Sequence, residues 1–128
     1  MRKALGGAAM VATIFLSGAA AIAGPWEDGM VAYNRGDYAP AVKLFRPLAQ
    51  AGNAKAQNVM GVMYRKGEGV TRSSAKAFMW FSLAAKKGDT QAKVSVQEMA
   101  KEMTPAELTQ AKEMMAVCVA SDYRNCEY

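Results

Sequence analysis

The chain has 128 residues, enough for one domain, with 21% charged and 52% hydrophobic residues, a globular rather than a disordered balance. It contains no histidine, which removes the commonest general base, the commonest zinc ligand and every Ser-His or Cys-His nucleophile pair. The formal charge of +5 is a weak pointer to acidic partners and is equally what ordinary solubility requires.

The first 23 residues read as an address. Arg2 and Lys3 open the chain, an apolar run follows from Ala4 to about Leu16, and small residues end in Ala21-Ile22-Ala23. That is the order of a secretory signal peptide, with cleavage expected between Ala23 and Gly24. An uncleaved anchor is the rival, since Ala4 to Ala23 is just long enough to span a bilayer. The run is rich in Gly and Ala and has no basic stop-transfer cluster behind it, which favours cleavage. The expected organisation is a signal peptide over 1–23 and a helical domain over 24–128. No stable membrane insertion is expected after cleavage, and the location is periplasmic or secreted.

Beyond Gly24, alanine and methionine are plentiful and β-branched residues sparse, so the mature chain should be all-α. Six helices are expected, roughly 25–35, 38–51, 53–66, 72–87, 89–102 and 105–119. Trp26, in the first, either packs as the opening residue of the stack or sits exposed. Pro47, inside the second, removes a backbone bond and should kink or shorten that helix. The segment from Ala39 to Ala56 repeats from Ala75 to Ala92 at an offset of 36 residues: Ala39/Ala75, Ala41/Ala77, Phe45/Phe81, Ala49/Ala85, Gly52/Gly88 and Ala56/Ala92 coincide. A repeat of this length marks a stack of helical units.

In the third helix Ala56, Met60, Met63 and Tyr64 form an apolar stripe. Gly61 lies within it, where glycine costs about 1 kcal/mol against alanine; close approach of a neighbouring helix is the simplest compensation. Gly67-Glu68-Gly69-Val70 breaks the helix, and Thr71 or Ser73 starts the fourth. There Ala77, Trp80, Phe81, Ala84 and Ala85 recur at spacings of three and four. Gly88 suits the left-handed residue that ends it, and Asp89 can cap the fifth. Thr104-Pro105-Ala106-Glu107 is a capping box opening the sixth, which should serve as a C-terminal cap over 104–128.

The run Ala56-Gln57-Asn58-Val59-Met60-Gly61-Val62-Met63-Tyr64-Arg65-Lys66-Gly67-Glu68-Gly69-Val70, followed by Ala77-x-x-Trp80-Phe81-x-x-Ala84-Ala85-x-x-Gly88, resembles a Sel1-like repeat, a relative of the tetratricopeptide repeat. The preceding unit, Gly29-x-x-Ala32-Tyr33-x-x-Gly36-Asp37-Tyr38-x-x-Ala41-x-x-x-Phe45, looks more like a tetratricopeptide unit. After Asp89 the pattern departs further: Gln97 stands where glycine is expected and Ala100 where tyrosine is expected. The resemblance implies a short α-solenoid of antiparallel helix pairs with a C-terminal capping helix, and a protein or peptide partner held on the concave face of the first helices. In the family register that face carries Met30, Tyr33, Asn34, Lys55, Asn58, Val62, Arg65 and Lys66. Their amide and basic groups suit an acidic or extended peptide; the competing view is that exposed Lys and Arg are merely solvated. The same resemblance offers an alternative, an exported hydrolase of the β-lactam-binding type; the chain's one Ser-x-x-Lys spacing, Ser73-Ser74-Ala75-Lys76, falls where the fourth helix is expected to start.

Other chemistry is weakly signalled. Cys118 and Cys126 form an even count in an oxidising compartment and read as a disulfide; a redox pair would want C-x-x-C spacing. The methionines at 30, 60, 63, 79, 99, 103, 114 and 115 could offer thioethers to Cu(I), yet most fall on apolar stripes, where methionine fills gaps. Glu98 and Glu102, flanked by Lys93 and Lys101, read as a solvated charged face. No cofactor, metal or nucleic acid is expected, and the reading is binding rather than catalysis.

Overall fold

The computed structural model describes residues 23–127; the signal-peptide expectation for positions 1–22 lies outside the described residues. Six helices follow one another: α1 (Pro25–Asn34), α2 (Tyr38–Gln50), α3 (Ala54–Lys66), α4 (Ser74–Lys86), α5 (Thr90–Glu102) and α6 (Pro105–Ala120). The architecture is the expected short α-solenoid. Each of the first four helices packs on the next in sequence. The sixth departs from that order and lies back on α4 instead of pairing with α5.

Local chemistry sets the boundaries. Asn53 Oδ1 accepts from the Ala56 amide at 3.0 Å, Ser73 Oγ from Lys76 at 3.2 Å and Asp89 Oδ1 from Ala92 at 2.8 Å, each satisfying an orphan donor of a first turn. Between the two candidate starts of α4, it is therefore Ser73 that caps. Thr104 and Glu107 form the reciprocal capping box: Thr104 Oγ1 accepts from the Glu107 amide and Glu107 Oε2 from the Thr104 amide. At the C-terminal ends of α2 and α4, Gly52 and Gly88 adopt φ +89° and +96°. The next amide in each case folds back, Asn53 to Leu48 O at 3.0 Å and Asp89 to Ala84 O at 3.1 Å, the six-to-one bond of a Schellman end. The repeat of 36 is thus a repeat of helix ends as well as of core residues.

Proline 47 does not end its helix. Three further residues remain helical, and the Ala51 amide bonds to Pro47 O at 2.9 Å. Lys43 loses one donor to its carbonyl, but Pro47 and Lys43 both face solvent, where water can replace that bond.

The core runs through the middle of the stack. Phe45, Met60, Met63, Met79, Trp80, Phe81 and Leu83 are buried, with alanines 41, 49, 56, 77, 84 and 92 letting the helices approach. Of the eight methionines from Met30 to Met115, six are buried, which uses them as packing. Trp26 packs rather than projecting: its ring lies 5.3 Å from that of Phe45. Among the described residues the one buried polar side chain is Gln57, whose Nε2 donates to Ala49 O at 3.1 Å and ties α3 to the last turn of α2.

After α6 the chain turns sharply through Asp122 and Tyr123, both at positive φ (54° and 62°). The Cys118–Cys126 disulfide closes this tail onto α6, and both cysteines are fully buried.

Candidate functional site

The residues expected to meet a partner lie on the outer faces of α1 and α3. On α3 the helical turn places Lys55, Asn58, Val62, Arg65 and Lys66 on one side, with Ala56, Met60, Met63 and Tyr64 turned to the core. Lys55 and Lys66 are exposed, and Asn58, Val62 and Arg65 are half-buried. Asn58 Oδ1 is shielded and accepts no hydrogen bond within the protein. On α1, Met30 and Tyr33 pack half-buried against the core edge, and Asn34 is exposed.

Two carboxylate groupings join these positions. Glu68, in the turn after α3, lies 3.8 Å from Lys66 Nζ and also faces the phenol of Tyr33, so α1 and the end of α3 share one acid. Burial first, and then the Glu68 carboxylate by hydrogen bond and charge, push the Tyr33 pKa up to about 12. The Tyr33 ring also meets Tyr38 edge-on at 5.3 Å. On the other side Arg65 reaches α5, its Nη1 3.4 Å from Glu98 and its Nη2 3.9 Å from Glu102.

The face is therefore mixed in charge, not a basic stripe. Lys55, Arg65 and Lys66 are met by Glu68, Glu98 and Glu102, and of the three cations Lys55 is the one without an acid beside it in these ion pairs. Glu98 and Glu102 share a helix face, as their spacing of four requires, but they are not only a solvated pair: Glu98 accepts from Arg65 of another helix and Glu102 stands at ion-pair distance from it. Their role depends on how α5, packed on α4, comes beside α3, which no spacing within α5 encodes.

A unit of two helices, with glycine-broken turn, stacked on a partial unit before it, is now in view. Residues 54–89 match the family model of the Sel1 repeat. The chain is a helical repeat protein, and over this stretch it is consistent with the Sel1-like family. The matched stretch covers α3, α4 and the turns that follow them. No curated protein matches the chain. A Sel1 repeat points to a protein-interaction module, and Asn58 to Lys66 of the outer face all lie within it. Among the described residues no helix is long and apolar enough to cross a membrane.

A second polar grouping escaped the sequence. Glu127, from the tail, stands 2.6 Å from Arg46 Nε of α2 and accepts from Trp80 Nε1 of α4 at 3.1 Å. Tyr64 of α3 faces the same carboxylate. Burial, followed by the Glu127 charge and hydrogen bond, raises the Tyr64 pKa to about 12 against the opposing pull of Arg46. Trp80 and Tyr64 read from the pattern as core, and both are buried; nothing in the pattern shows that their polar ends meet a carboxylate supplied from the tail.

Proposed function

We propose that the protein is an exported interaction module, periplasmic or secreted, that holds an extended segment of a partner protein across the first-helix face formed by α1 and α3. The observation that carries this reading is Asn58. Its half-buried side chain sits midway along that face with Oδ1 free of any internal hydrogen bond, between exposed Lys55 and apolar Val62. An amide can bond both the N–H and the C=O of an extended backbone, Val62 and Met30 offer apolar contact, and Lys55 offers a charge. Binding rather than catalysis fits a chain without histidine, whose one Ser-x-x-Lys spacing, Ser73 to Lys76, is used otherwise: Ser73 Oγ caps α4 by accepting from the Lys76 amide, and Lys76 Nζ lies over the Tyr64 ring. The disulfide supports an oxidising compartment.

The test is retention from an envelope extract on the immobilised mature protein, compared with Lys55→Glu plus Asn58→Ala. Proteins retained by the parent should be lost from the double variant and kept by Lys43→Glu, an exposed position on α2. Equal retention by parent and double variant removes the first-helix face as the site. Lys76→Glu is unsuitable as a control, because Lys76 Nζ lies 5.4 Å over the Tyr64 ring and its loss would touch the core.

A further inference from the structure

The segment after α6 docks through a carboxylate. Glu127 keeps little solvent contact, its side chain only 10% exposed. It is met by one cation from α2, an indole N–H from α4 and a phenol from α3. Three donor groups from three helices converge on one carboxylate, the arrangement of a receptor for that group. Two features show that the tail is held there and does not simply rest there. Asp122 and Tyr123 both occupy the left-handed region that non-glycine residues avoid. The Cys118–Cys126 bond closes the loop over them. Lys87 Nζ, 5.2 Å over the Tyr123 ring, adds a contact at the end of α4.

We propose that Arg46, Tyr64 and Trp80 form a carboxylate-binding site for an acidic side chain of a peptide, filled in the oxidised protein by Glu127 as an internal ligand and opened by reduction of Cys118–Cys126. This site draws on α2, α3 and α4, and from α3 it uses the core-facing Tyr64, not the side that carries Lys55 and Asn58, so it stands or falls independently of the first-helix face. A dithiol supplies the two electrons and two protons; the S–S bond breaks to two thiols, and the reductant closes to its own disulfide. Without the bond, the strained turn at Asp122–Tyr123 is free to relax and Glu127 leaves. A peptide glutamate then meets the Arg46 guanidinium and the Trp80 and Tyr64 donors in its place.

Two measurements on the mature chain test this. The protein has two tryptophans, hence two indole N–H signals in a nitrogen–proton NMR spectrum. Glu127→Gln, with the disulfide intact, should move one of them, and dithiothreitol should move the same one in the parent. If neither change shifts an indole signal while free thiols appear on reduction, the internal ligand and its release are both wrong. In the second measurement the probe is a synthetic peptide of residues 121–127 with serine at position 126. The receptor is the mature protein with Cys118→Ser, Cys126→Ser and Glu127→Gln. The peptide should bind this receptor at least about tenfold more tightly than it binds the oxidised parent, and about tenfold more tightly than the same peptide with glutamine at 127. Adding Arg46→Ala to the receptor should remove that preference. Equal binding of the glutamate and glutamine peptides overturns the site.

Discussion

Gly61 of α3 and Phe81 of α4 lie so close that a Cβ on the glycine would stand 2.6 Å from Phe81 Cδ1 and 2.7 Å from Cε1. The ring cannot simply step away, because Phe81 is 1% exposed in the middle of the core. The preceding hairpin repeats the device: a Cβ on Gly29 of α1 would meet Phe45 Cε1 of α2 at 2.7 Å. In both units a glycine of the first helix gives up helix propensity so that the phenylalanine of the second can close the hairpin.

Gly61→Ala therefore sets two effects of opposite sign against each other. Propensity alone predicts a gain approaching 1 kcal/mol. Overpacking against a buried ring predicts a loss of about 1–3 kcal/mol. The contact distance decides for the loss, so the urea midpoint should fall by the equivalent of about 1–2 kcal/mol. Gly61→Ala combined with Phe81→Leu should cost less than the sum of the single changes, since the two sites share one contact. A rise in midpoint for Gly61→Ala would refute the close approach.

The disulfide closes a loop with a sequence separation of 8. Chain-entropy arguments for so short a loop give less than about 3 kcal/mol, and the left-handed pair Asp122–Tyr123 offsets part of it. Protein prepared without reductant should show no reactive thiol after denaturation. Cys118→Ser with Cys126→Ser should lower Tm while leaving the far-ultraviolet helix signal near the parent. Two reactive thiols in the parent would contradict the bond.

Tyr33 and Tyr64 carry pKa values raised to about 12 from an ordinary value near 10. A phenol whose folded pKa is raised favours the folded state while it stays protonated. Its contribution is complete below pH 10, the unfolded value, and disappears as pH climbs through about 12. Stability should therefore decline in the alkaline window from 10 to 12. In an absorbance titration at about 295 nm, Tyr33 and Tyr64 should ionise late, and Glu127→Gln should bring one late signal, that of Tyr64, to lower pH. An unchanged profile in that variant would mean that Glu127 does not face Tyr64.

Export is tested by mass. Cleavage after Ala23 would leave Gly24 as the new amino terminus. Gly24 is the N-cap of α1, whose first turn carries Glu27 and Asp28, acids that offset the ammonium placed at the positive end of a helix dipole. The intact mass from a periplasmic fraction should correspond to a chain starting at Gly24. A membrane-bound product retaining Met1 would reverse the reading to an anchor.

Most of the fold was legible because local signals agreed with each other. Ser73, Asp89 and Thr104 start helices, Gly52 and Gly88 end them, and the offset of 36 carries Phe45 onto Phe81; each is a short-range rule that the packing does not overrule. What stayed hidden needed three dimensions. Arg65 meets Glu98 and Glu102 33 and 37 positions away only once α5, packed on α4, brings them beside α3. Glu127 reaches Arg46 and Trp80 only because α6 turns back onto α4. Thr104-Pro105 announces that a helix begins, but nothing local to it sets the direction in which that helix leaves. Lys55, Asn58, Val62, Arg65 and Lys66 share a side of α3 as its periodicity requires, but the acids near Arg65 and Lys66 come from other elements, which no spacing within α3 encodes.

Those acids change what substitutions on the face will do. Lys55 has no acid beside it in the ion pairs that cross the face, whereas Arg65 is shared between Glu98 and Glu102 at 3.4 and 3.9 Å. Lys55→Glu should leave the melting temperature within the scatter of a surface change, about 0.5 kcal/mol or less. Arg65→Glu would set three carboxylates together where α3 meets α5 and should destabilise the fold. The pairs are largely solvent-exposed, so the loss is expected to reach no more than about 1 kcal/mol at low ionic strength and to shrink at molar salt, where the Debye length falls to about 3 Å. Arg65→Gln, which removes the attraction without adding repulsion, should fall between the two. Melting the three variants at low and high salt separates the cases. If Arg65→Glu melts with the parent at low salt, the bridge from α3 to α5 contributes nothing, and Arg65 is as free as Lys55 to meet a partner.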